Sequence, residues 1–198
     1  MKRFLLLFLA TVVTAWSASA QLSVSQLRTE HLTDPVGIGE RRPLLSWEVS
    51  DASRRGVTQS AYEIRVKSGG RTVWRTGKVA SAESAGVFYD GTPLTSDTRY
   101  TWQVRVWDDR GKASAWSRPA FWRTGLFDVG EWQARWIEPA VSDDLAAMFR
   151  RTFRVTKPVA EATVYVTAHG IYEASVNGHR VSDDLLTPGW TAYKKRLQ

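Results

Sequence analysis

The residues of this chain that could do acid–base chemistry come first as adjacent carboxylates: Asp108-Asp109, Asp143-Asp144 and Asp183-Asp184. Two carboxyl groups facing one bond could act as general acid and general base. Neighbours on a strand point to opposite faces, so such pairs do not converge on a single bond. Each pair also borders a turn, where an aspartate bonds its own backbone. Turn chemistry is therefore the expected role, with calcium binding by Asp183 or Asp184 as a lesser alternative, because hard cations want clustered oxygens. The histidines are His31, His169 and His179. They lack the spacing of a zinc site, and no cysteine can assist them. His169, beside Gly170, is expected at a strand end. A nucleophile elbow and a phosphate-binding glycine loop are both absent from the sequence. The expectation is no catalytic residue, no cofactor and no metal. Aromatic rings are the remaining candidates, because sugars stack on tryptophan and tyrosine. Trp107, Trp116, Trp190 and Tyr193 are singled out as residues for sugar contact or for packing against a neighbouring domain, while Trp47 and Trp102 are expected in the core.

Strands must position these side chains. No segment holds a 3.6-residue apolar period, and alternation with period two dominates. In "TRYTWQVRVWD" Tyr100, Trp102, Val104 and Val106 share one face, and in "AYEIRVKS" Tyr62, Ile64 and Val66 do so. Turn signals separate the runs: Ser68-Gly69-Gly70, Asp90-Gly91-Thr92-Pro93 and Asp109-Arg110-Gly111. The reading is all-β, with two consecutive antiparallel β-sandwiches. The first covers 22–125, with strands expected at 25–31, 43–49, 61–67, 71–76, 86–89, 99–107 and 119–124. The pattern breaks at Phe127-Asp128-Val129-Gly130. The second covers 130–198, with strands expected at 147–155, 161–167, 170–177 and 179–182. Asn177-Gly178 is its hairpin turn, since both positions tolerate positive φ. A strand is expected to open at Trp190. With so few strands this second sandwich reads as incomplete and jelly-roll-like, and the chain as the front of a longer protein.

Residues 1–20 stand apart. Lys2 and Arg3 precede the apolar run Phe4–Val13, and Ala18-Ser19-Ala20 fits a cleavage site. This is the pattern of a secretory signal peptide. The run is too short to span a bilayer, which takes ~20 residues. Export to the periplasm or the extracellular space is expected, with no membrane span after cleavage. The absence of cysteine excludes a disulfide framework. Stability must come from buried apolar area, for which 10 Trp, 7 Phe and 6 Tyr are available. Net charge is +7. The basic residues are scattered along strands rather than gathered in one arm, so the solvated face of a sheet is expected and nucleic-acid binding is not.

"RPLLSWEV", with Trp47 on an early strand, and "PLTSDTRYTWQVRVWDDRGKASAWS", with Leu94 six residues before Tyr100, resemble a fibronectin type III or immunoglobulin-like domain. In that layout Tyr100 is a tyrosine corner. "FWRTGLF", "WQARWI", "FRRTFRV" and "ATVYVTAHGIYEASVNGHRVSDDLLTPGWTAYKKR" follow in order. Together these resemble the N-terminal region of a bacterial α-L-rhamnosidase of glycoside hydrolase family 78. The resemblance implies β-sandwich domains ahead of a helical catalytic barrel, and hydrolysis of terminal α-L-rhamnose with inversion. It implies two partners, rhamnose-containing glycans and the downstream catalytic domain, with the catalytic acids beyond residue 198. The alternative is a non-catalytic carbohydrate-binding or adhesive sandwich protein of the bacterial envelope.

Overall fold

The computed structural model describes residues 22–52, 54–140 and 146–195. The expected signal peptide and the Asp143-Asp144 pair lie outside the described residues. The chain divides into two compact units, Met1–Trp136 and Ile137–Gln198.

Among the described residues the first unit carries eight strands: β1 (Ser23–Thr29), β2 (Val36–Ile38), β3 (Leu44–Ser50), β4 (Gln59–Ser68), β5 (Arg71–Arg75), β6 (Val87–Phe88), β7 (Arg99–Asp108) and β8 (Ala120–Thr124). They form a three-stranded sheet, β1-β3-β6, and a five-stranded sheet, β2-β8-β7-β4-β5. Alternation dictates which faces meet. Leu45 and Trp47 come from the smaller sheet. They join Tyr62, Ile64, Val66, Tyr100, Trp102, Val104, Val106 and Trp122 of the larger one in a single buried cluster. The register fixes this: Tyr62 lies opposite Val106, Ile64 opposite Val104 and Val66 opposite Trp102. Some polar groups drawn into the core are bonded there, whereas the Trp102 and Trp122 indole N–H groups and the Thr29 hydroxyl are buried without a hydrogen-bond partner among the described residues. The Trp47 indole N–H donates to Gln59 Oε1 at 3.0 Å, and the Gln59 amide donates to the carbonyls of Ser81 and Glu83.

Strand β2 departs from the expected layout. It pairs parallel with β8, making the edge of the larger sheet mixed, and it was not anticipated. It is only three residues long, and Gly37 at its centre has φ +81°, so no alternation marks it. It docks because the glycine at 125 lets the backbones close, while Gly37 supplies the positive φ. A Cβ on Gly125 would lie 3.0 Å from the Gly37 carbonyl oxygen. The Arg123 N–H donates to Pro35 O and the Gly125 N–H to Ile38 O.

Tyr100 does form the corner. Its ring is buried, and its hydroxyl accepts the Thr95 backbone N–H at 3.0 Å beside the buried Leu94. Tyr100→Phe should cost about 1–2 kcal/mol, because a part-buried amide loses its acceptor. Urea unfolding checks this; a change within about 0.3 kcal/mol would remove the corner from the account of stability.

The second unit holds two short strands among the described residues, β9 (Ser175–Val176) and β10 (His179–Arg180). The expected hairpin is present. Asn177 (φ +52°) and Gly178 (φ +81°) turn the chain, and the Val181 N–H reaches the Ala174 carbonyl at 2.9 Å. The longer strands expected at 147–155 and 161–167 are not formed, and those expected at 170–177 and 179–182 shrink to two residues each. The strand expected from Trp190 gives way to a turn, closed by Lys195 N–H to Ala192 O at 2.7 Å. The physical reason is pairing. Apolar alternation supplies a face, but a strand also needs a ladder partner. Phe149, Phe153, Val164 and Leu185 accordingly keep more than half of their surface exposed.

Candidate functional site

The outer face of the five-stranded sheet is the most organised polar surface of the first unit. Side chains at odd positions of β7 point away from the core, and the register places Arg105 beside Glu63, Gln103 beside Arg65, and Thr101 beside Lys67. Glu63 sits at the centre with its side chain only 3% exposed. Its Oε1 accepts Arg75 Nε at 2.6 Å, and its Oε2 accepts Arg105 Nε at 2.8 Å. Burial pushes the Glu63 carboxyl up, but the hydrogen bonds from Arg75 and Arg105 outweigh it and hold it below the usual carboxylate range.

Around this anchor the cations interleave with rings. Arg105 lies 5.0 Å from the Trp107 ring centre and 4.9 Å from that of Trp116. Lys78 sits over Trp107 at 4.8 Å and Arg65 over Trp116 at 4.2 Å. Such contacts are favourable because the ring quadrupole attracts the cation. Arg65 is also held by Gln103 Oε1, at 2.8 and 3.1 Å. Further along the sheet Arg99 covers Phe121 at 3.6 Å.

The segment that delivers Trp116 is built from serines. Ser114 Oγ accepts the Val106 N–H at 3.0 Å, and Ser117 Oγ accepts the Val104 N–H at 3.1 Å. Two hydroxyls thus stand in for backbone partners along β7 and fix the ring between them. Of the ladder, only Trp107 and Trp116 were singled out from sequence. Glu63, Arg65, Lys78 and Arg105 were missed, although the odd-position parity of β4 and β7 marks three of them as outward.

The other candidates are simpler. Trp190 is 84% exposed, and its ring centre lies 6.2 Å from that of Tyr193, which stacks on His169 at 5.3 Å. His169 joins this group instead of only ending a strand; its distance in sequence from Tyr193 hid it. Asp108 is a turn anchor: its Oδ1 accepts the N–H groups of Arg110 and Lys112, while Arg54 bridges Asp108 and Asp109. Asp184 accepts the Ser182 hydroxyl at 2.6 Å. The Asp108-Asp109 pair converges on the Arg54 guanidinium, an ion-pair and turn arrangement. A cleft of about 250 Å3 is lined by Arg41, Arg42, Tyr89, Asp90 and Leu94. Its arginines are ion-paired with Asp128 and Asp90.

Comparison with known proteins assigns both halves of the chain. The family described as "Rha78A-like, N-terminal immunoglobulin domain" matches residues 24–128. The chain belongs to the α-L-rhamnosidase family, as N-terminal sequence. A second description, "Alpha-L-rhamnosidase N-terminal domain", matches residues 157–198. An α-L-rhamnosidase of Streptomyces avermitilis is 37% identical over 81% of this chain and 18% of its own length. One from Formosa agariphila is 32% identical over 86% of this chain and 20% of its own length. The solved structure of the α-L-rhamnosidase from Dictyoglumus thermophilum is 31% identical, with a TM-score of 0.74, over 87% of this chain and 22% of that one. The chain thus spans about one fifth of the length of the curated relatives it matches. The Arg–Trp ladder lies inside the immunoglobulin-domain match of the rhamnosidase family, and the Trp190–Tyr193–His169 group lies inside the N-terminal-domain match.

Proposed function

We propose that this chain is the non-catalytic front of an exported α-L-rhamnosidase, and that the complete enzyme hydrolyses terminal α-L-rhamnose with inversion. The carrying observation is the match of four fifths or more of the chain to proteins named α-L-rhamnosidase, at 32% and 37% identity. Inversion takes two carboxyl groups roughly 6.5–9.5 Å apart across the sugar ring. Glu63, Asp108 and Asp109 are engaged by arginines, and Asp108 and Asp184 also by turns, which supports placing the catalytic acids in another part of the enzyme. In this reading residues 1–20 direct export to the periplasm or beyond. Residues 22–125 and 130–198 are two sandwich domains, the second of jelly-roll type. Both position the catalytic domain, and rhamnose-containing glycans are the partners of the whole enzyme. The exposed Phe149, Phe153, Leu185 and Trp190 suit packing against further protein, since apolar surface gains about 25 cal/mol per Å2 on burial.

The test is direct. The purified chain, incubated with an aryl α-L-rhamnoside, should release no rhamnose above buffer. Release that Asp183→Asn or Asp184→Asn abolishes would overturn the assignment. N-terminal sequencing of the exported protein should begin at Gln21.

A further inference from the structure

We propose that the outer face of the five-stranded sheet docks an anionic polysaccharide, of the kind carrying a carboxylate on successive sugars. Register concentrates on this one face what the linear sequence scatters. Arg99, Arg105, Arg123, Arg65, Lys67 and Arg75 project from β7, β8, β4 and β5, and Lys78 reaches over Trp107. Among the described residues two carboxylates answer these seven cations. Glu63 is buried beneath Arg75 and Arg105, and Asp97 takes Arg123 at 2.6 Å. Arg65, Lys67, Lys78 and Arg99 have no carboxylate partner among the described residues.

Stability alone does not account for this arrangement. Arg99 lies directly opposite Arg123 across the β7–β8 ladder, and like charges so placed destabilise a sheet. Arg65 and Arg99 are positioned by groups that do not neutralise them: a glutamine side chain and the Trp116 ring for one, the Phe121 ring for the other. The ordering cost of these two side chains is therefore already met, while their charge stays available to an anion. From Arg99 to Arg105 the row runs about 20 Å along β7, and from β8 to β5 it is about 14 Å wide. An extended polymer fits such a strip.

The rings narrow the partner further. Trp107 and Trp116 each carry two cations over them. They space the charges and leave little open face for stacking. Single-stranded nucleic acid binds through open aromatic platforms, so this surface suits it poorly. A neutral sugar would likewise find few free rings. What the face offers is positive charge at fixed intervals, and the glycan class of the partner rests on the membership in a glycosidase family.

Affinity electrophoresis of the full chain in gels containing polygalacturonate tests the proposal, with dextran as the neutral polymer and a single-stranded DNA of equal charge as competitor. Retardation by polygalacturonate is expected, falling at least tenfold in affinity between 20 and 300 mM salt (about the range over which the Debye length shrinks severalfold), with none by dextran. Arg65→Gln with Arg99→Gln should weaken binding about tenfold or more, and Lys67→Gln, exposed and outside the ladder, should weaken it by a smaller factor. Arg65→Lys with Arg99→Lys, which keeps the charge, should retain most of it. Circular dichroism of each variant confirms the fold. No retardation at low salt, unchanged binding by both Gln variants, or DNA that binds as tightly as the glycan would each overturn the proposal. The readout involves no catalysis, so failure here leaves the rhamnosidase reading to its own test.

Discussion

Replacing Trp122 with alanine should remove about 3–5 kcal/mol from the stability of the first unit, the range for deleting a large buried aromatic. Trp122 is fully buried on β8. It stacks on Tyr100 at 5.3 Å and meets Tyr89 edge-on at 5.8 Å; Tyr89 in turn meets Trp74 at 5.0 Å. The ring therefore ties the corner tyrosine to the β5 edge and to the segment after β6. Its neighbours cannot collapse into the gap, because Tyr100 and Tyr89 are each pinned by a hydroxyl bond, Tyr100 to Thr95 and Tyr89 to the Thr92 carbonyl. A domain holds only about 5–15 kcal/mol in total, so the loss takes at least about a fifth of it. Urea denaturation of residues 22–136, followed by far-ultraviolet circular dichroism, gives the number. The wild-type piece should unfold in one cooperative transition. A loss below about 1 kcal/mol, within the reach of ordinary surface substitutions, would mean that the aromatic chain is not what holds the sheets together.

The same residues show what a sequence can and cannot disclose. Alternation placed Tyr100, Trp102, Val104 and Val106 on the core side because side-chain direction in a strand depends only on parity. The Asn177-Gly178 turn was legible for a local reason too, since two positive φ angles in a row favour those residue types. What escaped depends on pairing. Strand β2 has a glycine at its centre and is defined by its approach to Gly125, far away in sequence. The run at 161–167 alternates and that at 147–155 does so in part, yet both remain outside any ladder among the described residues. The candidate surface was half visible. Parity alone turns Arg65 and Arg105 outward. That their strands adjoin, with Glu63 buried between them and Trp116 delivered by Ser114 and Ser117, follows from a register the local pattern does not contain.

Glu63→Gln should destabilise the first unit by about 2–3 kcal/mol at neutral pH, and the deficit should shrink in acid. Removing one partner of a buried ion pair costs about 3–5 kcal/mol when the remaining charge is left buried. Here the remaining charges are less confined: the side chain of Arg105 is 31% exposed and that of Arg75 is 59% exposed, so solvent screens Arg75 in particular and the expected loss is lower. The variant keeps the shape of the side chain, which isolates charge from packing. Its amide still offers one acceptor oxygen, but its NH2 group faces a guanidinium donor. The pH dependence follows from the direction of the shift. Because the folded carboxyl titrates below its ordinary value, its contribution is fully present above the unfolded value of about 4.3 and is lost as pH falls through the lower folded value. Once protonated, Glu63 is as neutral as the glutamine that replaces it, so the two stability curves should lie apart at pH 7 and converge below about pH 4. Asp108 shifts in the same direction, first through the Lys112 backbone N–H, and tilts both proteins equally. Urea midpoints measured from pH 7 to pH 3 resolve the two cases. Curves that stay parallel throughout would show that Glu63 acts by shape alone, and that the cations above it are held by Trp107, Trp116 and Gln103 without its charge.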